Sequence, residues 1–201
     1  LVPPFERLVE AVACDPKLRP TGEGRGELVP SLRVMSLSAT GRVRDLARTL
    51  SLGPDDRKDP VVKKRIHAKK AVSRRAVGDP KELAASLAKA AWELTAEGAN
   101  ASRIIVFCNL RTDAVAVHAQ LVELGAAETN IELFVGARRV FEREKLAEWL
   151  TVKGFVASSS GRAVPDGPTF VVATSAGEVG VDLDADHAVC DLVAWERMVQ
   201  R

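Results

Sequence analysis

The sequence predicts an α/β fold in which a largely parallel sheet is covered by helices on both faces. From residue 103 onward, short apolar runs typical of strands alternate with longer stretches typical of helices. Such alternation implies right-handed strand–helix–strand crossovers, which build parallel sheets. Hydrophobic residues make up 46% of the chain and aromatic residues only 4%. The core must therefore be built from Val, Leu and Ala, as buried parallel strands usually are.

The first part of the chain predicts a helix, a loop and a strand. In "PPFERLVEAVACDP", Phe5, Leu8, Val9 and Val12 share one helical face between bounding prolines. Three glycines follow in "RPTGEGRGELVPS", which is typical of a surface loop, because a dinucleotide-binding fingerprint needs a strand directly before it. "LRVMSLSAT" then predicts a buried strand that ends in small hydroxylated residues.

The clearest charge block lies at residues 61–75. This segment, "VVKKRIHAKKAVSRR", carries seven Lys or Arg and no acid. The pattern fits a solvated linker or an edge strand, and it fits equally a surface that contacts phosphates. From Asp79 onward, "KELAASLAKAAWELTAEG" predicts a helix that stops at Gly98.

The remaining elements alternate regularly along the chain. Strands are predicted at "RIIVFCN", "IELFVG", "TFVVATS" and "HAVCDLV", and helices at "TDAVAVHAQLVELG" and "RRVFEREKLAEWL". Trp92, Trp149 and Trp195 lie on amphipathic elements, which favours a place in the core over a base-stacking surface.

Composition narrows the class of protein. A net charge of +2 makes no global electrostatic case for nucleic acid, so any basic surface must be local. The three cysteines are widely separated and the three histidines are scattered, which predicts neither a metal site nor a disulfide framework. No apolar run approaches the roughly 18 residues of a membrane span. We therefore expect a soluble, cytoplasmic protein.

Candidate site residues follow the predicted strands. In α/β sheets, ligands bind beyond the carboxyl ends of the strands, so these positions should line one crevice. They are "SAT" at 38–40, "CNLRTD" at 108–113, "GARR" at 136–139 and "ATSAGEVGVDLD" at 173–184. Taken singly each has a structural alternative, since Thr112 and Asp113, for example, could merely cap the next helix.

The order of these segments resembles the motif series in the rear half of superfamily-two helicases. "SLSATG" resembles motif III, "RIIVFCNLRTDA" motif IV, "GARRVFERE" the following basic motif, "VVATSAGEVGVDLD" motif V and "ERMVQR" the start of motif VI. Within that superfamily, "VATSAGEVGVDLDADHAVCDL" followed by "WERMVQR" is most similar to the CRISPR-associated helicase of type I interference systems, especially the type I-U (or I-G) branch.

The resemblance implies a RecA-like fold and a division of the chain into three parts. Residues 1–45 would be the tail of a first RecA-like motor domain, and 46–80 a linker with the first strand of the next domain. Residues 81–201 would be a second motor domain, truncated within motif VI. The phosphate-binding loop and the acidic metal box would lie outside this chain, so we expect the chain alone to be inactive.

The resemblance also implies how ATP is used. Ser38, Ala39 and Thr40 would couple hydrolysis to domain movement, since hydroxyls both donate and accept hydrogen bonds. Gly180 would allow close backbone approach, and Asp182 would accept a hydrogen bond from an ATP ribose hydroxyl. The Mg²⁺ ligands would lie outside the chain.

At the end of the chain, Gln200 and Arg201 would face the triphosphate and act in catalysis. The arginine fingers that stabilise the transferring phosphoryl group would lie in residues beyond them.

Contacts to single-stranded DNA are implied at five positions, which are Thr174, Asn109, Arg111, Arg138 and Arg139. The implied protein is an ATP-dependent DNA helicase of CRISPR interference, with a CRISPR RNA-guided surveillance complex as its partner. Two alternatives remain open at this point. One is another superfamily-two helicase acting on DNA or RNA, and the other is a nonenzymatic α/β module that binds nucleic acid.

Overall fold

The computed structural model describes residues 3–15, 52–136, 140–156, 163–178 and 182–201. The chain divides into two units, Leu1–Thr49 and Leu50–Arg201. In the first unit, the predicted amino-terminal helix is confirmed as α1, Pro3–Cys14. The predicted glycine loop and the strand that ends at residues 38–40 lie outside the described residues.

The second unit is built on a four-stranded sheet. The strands are β1 (Arg103–Phe107), β2 (Ile131–Phe134), β3 (Thr169–Ala173) and β4 (His187–Cys190). They lie in the order β2-β3-β1-β4, and every pairing is parallel. All five residues of β1 and of β3 are buried, as is typical of central strands in a sheet covered on both faces.

Helices cover both faces of this sheet. On one face, α3 (Leu83–Glu93) and α4 (Arg111–Glu123) pack on the side chains of Ile104 and Val106. On the other face, α5 (Val140–Val152) contributes Leu146 and Leu150, which pack with Ile105. Successive residues of a strand point to opposite faces, so β1 serves both cores. The predicted α/β fold with a parallel sheet between helices is confirmed.

The basic segment differs from one of the two structures proposed for it. Residues 60–80 contain a short helix, α2 (Pro60–Ile66), and no strand, so the edge-strand alternative is wrong. The reason is local: Asp59 accepts hydrogen bonds from the backbone N–H groups of Val61 and Val62, and Pro60 occupies the first helical turn. The seven cations of residues 61–75 are all exposed.

Three other expectations need correction. Helix α3 ends at Glu93 rather than near Gly98, because the Thr95 hydroxyl donates to the Trp92 carbonyl and accepts from the Gly98 N–H, which closes the turn early. Strand β4 ends at Cys190, because Cys190 pairs with Phe107, the last residue of its neighbour β1. Trp195 is 75% exposed and does not belong to the core.

The last element is α6 (Trp195–Gln200), which follows β4. Among the described residues, no helix combines the length and apolar character that a membrane span requires.

Candidate functional site

The carboxyl ends of the strands converge on one polar cluster. Asn109 follows β1, Thr174 follows β3 and Asp191 follows β4, while Arg197 lies in helix α6 and Arg201 caps the carboxyl end of that helix. Because all four strands are parallel, their carboxyl ends meet at the same edge of the sheet. The sequence predicted this edge as the place where ligand-binding residues should gather.

Glu178 holds both arginines of α6. Its Oε2 accepts a hydrogen bond from Arg197 Nε at 3.0 Å, and its Oε1 accepts from Arg197 Nη2 at 2.7 Å and from Arg201 Nε at 2.9 Å. The Glu178 side chain is only 4% exposed. The hydrogen bonds from Arg197 lower the pKa of Glu178 below its ordinary value, burial opposes this shift, and Arg201 reinforces it. The carboxylate is therefore ionised at neutral pH.

Arg201 is the most enclosed group of the cluster. Its side chain is 2% exposed, and its Nη1 donates to the carbonyl oxygen of Asp191 at 3.0 Å and to Asp191 Oδ1 at 2.8 Å. The guanidinium carbon lies 5.3 Å from the centroid of the Phe107 ring, which is a cation–π distance. Burial works against the charge of Arg201, but the hydrogen bonds with Asp191 and Glu178 outweigh it and raise the pKa.

One nitrogen of Arg201 has no acceptor. Its Nη2 is buried and finds no hydrogen-bond partner among the residues that the structure describes. Unsatisfied buried donors are uncommon in folded proteins and point to strain, to a water or to a ligand.

Asn109 and Asp191 connect the end of β1 to α6. The backbone N–H of Asn109 donates to Asp191 Oδ2 at 2.6 Å, and its side-chain oxygen accepts from Arg197 Nη1 at 2.9 Å. The neighbouring Cys108 is buried, and burial followed by the charge of Asp191 raises the pKa of its thiol to about 12. That thiol stays protonated and contributes no nucleophile to the cluster.

A tight turn sets the position of Glu178. Thr174 is buried, its N–H donates to the Phe134 carbonyl, and its own carbonyl accepts from the Gly177 N–H at 2.9 Å. A Cβ atom on Gly177 would lie 2.8 Å from the Cβ of Ala173, so only glycine fits there. The residue that follows, Glu178, is thereby directed at α6.

The other predicted site residues differ in where they lie and in whether the structure describes them. Arg111 begins α4 at the same edge and is exposed, and Asp182 is exposed. Gln200 lies in α6, but its side chain is outside the described part of the structure. Six predicted positions fall on residues that the structure does not describe, namely Ser38, Ala39, Thr40, Arg138, Arg139 and Gly180.

Sequence reasoning missed three members of the cluster: Glu178, Asp191 and Arg197. The spacing of Arg197 and Arg201 was the available signal, because residues four apart share one face of a helix. Among the described residues, no group of three or more His, Cys, Asp or Glu side chains could hold a metal ion.

Comparison with known proteins gives one family and one solved structure. No curated protein matches the chain. A solved chain described as "Crystal structure of CRISPR-associated protein" is 28% identical, with a TM-score of 0.45. The match covers 60% of this chain and 13% of that one, so the present chain spans a small part of its length. The model of the C-terminal region of the CRISPR-associated nuclease/helicase Cas3 matches residues 100–201, just over half of the chain, and the chain therefore belongs to this family.

Proposed function

We propose that this chain is the second motor domain of an ATP-dependent helicase or translocase that unwinds target DNA in CRISPR interference. The observation that carries the proposal is the joining of three motif-like segments at one sheet edge. Asn109 from the segment like motif IV, Glu178 from the one like motif V, and the arginines of α6 from the one like motif VI form one hydrogen-bonded cluster. A motor needs such links, because nucleotide and nucleic-acid sites must move together.

ATP is the proposed cofactor, and the described residues offer it partial complementarity. Arg201 Nη2 has no acceptor among the residues that the structure describes, and a phosphate oxygen could accept from such a donor. Asp182 is an exposed acceptor for a ribose hydroxyl, with Gly180 close by in the sequence. Gln200 and Arg201 would act on the triphosphate side. ATP supplies the phosphoryl group, and this chain contributes binding and orientation.

The remaining nucleotide functions are assigned to other regions. Ser38, Ala39 and Thr40 would relay the nucleotide state between motor domains. Mg²⁺ would be held by ligands outside this chain, as the acidic metal box of the first motor domain would provide them.

Single-stranded DNA would bind through phosphate contacts. Asn109 and Arg111 are exposed at the carboxyl edge, where Thr174 also lies, and Arg138 and Arg139 would add positive charge near the start of α5. The exposed cations of residues 61–75 would offer further phosphate contacts, although Arg75 is held by Glu93 at 2.6 Å. Contacts of this kind bind phosphates without regard to base sequence.

The family supports a proposal for the biological setting. We propose the type I-U (or I-G) branch because of the residues in the segment "VATSAGEVGVDLDADHAVCDL". Its partner would be a CRISPR RNA-guided surveillance complex in the cytoplasm, with the unwound strand as substrate.

The test is steady-state phosphate release by the full-length protein, with and without single-stranded DNA. We expect single strands to stimulate hydrolysis. Asp182→Asn should raise KM for ATP about tenfold, since a hydrogen bond to a charged acceptor contributes about 1.5–3 kcal/mol. The 201-residue chain alone should release no phosphate.

Asp166→Asn is the matched control, because Asp166 is an exposed carboxylate in the segment before β3, at the opposite edge of the sheet. It should leave KM unchanged. Absence of hydrolysis with any nucleic acid, or an Asp182→Asn enzyme with normal KM, would contradict the proposal. Stimulation by RNA alone would move the substrate from DNA to RNA.

A further inference from the structure

Glu178 is the one described side chain that binds both arginines of α6. Asp191 binds Arg201 and the Asn109 backbone, whereas Glu178 binds Arg197 through two nitrogens and Arg201 through a third. The three hydrogen bonds that its carboxylate accepts therefore all come from these two arginines. With a side chain 4% exposed, Glu178 has little surface for a further ligand.

The negative charge of Glu178 offsets the repulsion between two neighbouring arginines. Arg197 and Arg201 lie four residues apart on one helical face, where like charges repel. Two carboxylates, Glu178 and Asp191, balance them within the cluster. Removing the charge of Glu178 leaves the enclosed Arg201 with Asp191 as its one remaining described carboxylate partner, so the positive charge of the pair is only partly balanced.

The backbone supports Glu178 more rigidly than it supports the arginines. Glu178 follows a turn that is closed by the Thr174–Gly177 hydrogen bond and packed so tightly that Gly177 has no room for a side chain. Helix α6 has only six residues, too few for stable helix formation by itself. The turn therefore fixes the position of the Glu178 carboxylate, and the hydrogen bonds of that carboxylate orient helix α6.

Arg197 connects Glu178 to Asn109, which follows β1. Its side chain is 32% exposed, and its Nη1 reaches the side-chain oxygen of Asn109 while its other two nitrogens are held by Glu178. A shift of Arg197 would therefore release Asn109 as well. One carboxylate controls the geometry of three side chains at this edge.

We propose that Glu178 is a positioning residue of the motor: it orients α6 and its two arginines at the carboxyl edge without touching the substrate itself. The inference rests on the proposed function, because the arginines gain a catalytic purpose only if a triphosphate binds beside them. Groups that stabilise developing charge affect kcat more than substrate binding, and small displacements of such groups are costly.

The experiment compares Glu178→Gln and Glu178→Asp with wild type in the full-length protein. Glutamine keeps the size and removes the charge, whereas aspartate keeps the charge and shortens the reach. We expect Glu178→Gln to lower kcat for ATP hydrolysis at least about tenfold with KM within about twofold. Glu178→Asp should recover part of the lost kcat.

A second measurement follows α6 directly. Amide hydrogen exchange in Trp195–Arg201 should accelerate about tenfold in Glu178→Gln, while exchange in β1 stays unchanged. Glu123→Gln is the matched control, since Glu123 is an acid at the end of α4 whose side chain bonds to Gln120 in an exposed pair. It should alter neither kcat nor exchange.

The outcomes separate the two proposals. Normal kcat in Glu178→Gln, or a loss of kcat that aspartate does not recover at all, would overturn the positioning role. Faster exchange with normal kcat would show that Glu178 is only structural and would overturn it too. A wild-type protein without ATP hydrolysis would refute the proposed function, and the exchange measurement would then decide alone whether Glu178 holds α6.

Discussion

A buried arginine meets a carboxylate at each end of the sheet, but the two arginines have different kinds of partner. At the amino end, Arg103 donates to Asp186 from its backbone N–H at 2.9 Å and from Nε at 3.1 Å. Its Nη1 also donates to the carbonyl oxygens of Gly154 and Ala163, at 3.0 Å each. Arg103 belongs to the central strand β1, so this group cannot leave without disrupting the sheet.

At the carboxyl end, Arg201 has two carboxylate side chains and one backbone carbonyl, that of Asp191, as its partners, and it follows a helix of six residues. Side-chain oxygens can exchange partners with a ligand while the backbone stays in place, whereas the carbonyl partners of Arg103 are part of the folded chain. The same chemical pairing therefore stabilises the fold at one end and permits rearrangement at the other. The Nη2 of Arg201, which has no acceptor within the described part of the chain, lies at the second end.

The largest expected effect comes from Arg103→Met in the 201-residue chain. The change removes the side-chain donors to two backbone carbonyls and to Asp186, while the backbone N–H bond to Asp186 stays, so we expect the free energy of unfolding to fall by about 3 kcal/mol. Urea denaturation followed by circular dichroism measures this. Lys58→Met is the control, because Lys58 pairs with Asp55 and both side chains are exposed, by 77% and 92%, and exposed pairs contribute at most about 1 kcal/mol. Equal losses in both variants would remove the distinction made for the amino end.

A second, smaller loss is expected for Gly154→Ala at the same end. Gly154 has a φ of 74°, in the left-handed region, and a Cβ there would meet the Ala163 carbonyl oxygen and lie 2.8 Å from Arg103 Nη1. We expect about 2 kcal/mol of destabilisation in the same urea assay. Gly78→Ala should change little, since nothing lies within 4 Å of its Cβ position. A Gly154→Ala chain as stable as wild type would contradict this prediction, since it would show that the loop accommodates the Cβ atom at little cost.

The smallest expected effect tests the carboxyl end through pH. The folded-state pKa of Glu178 is lowered by its arginine partners, so its stabilisation is present above the unfolded pKa, about 4.3, and is lost as pH falls through the folded value. We expect the free energy of unfolding of wild type to exceed that of Glu178→Gln by about 1 kcal/mol between pH 7 and pH 5. The difference should shrink below pH 4. A difference that already changes between pH 7 and pH 5 would assign the effect to another group.

The fold was predictable because its signals are local. Strands β1 and β3 are continuous apolar runs, and the alternation with helices implies their parallel arrangement. The carboxyl edge was also predictable as a gathering place, since Asn109 and Thr174 directly follow strands. The roles assigned to those residues stay predictions.

The contacts inside the cluster were not predictable from the sequence. Glu178 and Arg197 are 19 residues apart, and a pair of that separation leaves no periodic pattern in a sequence. Arginine is usually exposed, so the enclosure of Arg201 against Phe107 also had no local signal. The prediction for Trp195 was wrong although a local signal existed, because its place on a short amphipathic segment suggested burial that the fold does not provide.

The exposure of Trp195 makes α6 visible to fluorescence. Trp92 stacks on Phe170 and Trp149 on Phe155, so both indoles are partly shielded by other rings. Trp195 begins α6 and is 75% exposed, so an aqueous collisional quencher such as iodide reaches it first. In this chain the quenchable fraction of the emission therefore reports on the first turn of α6, next to the arginine cluster, without any attached dye.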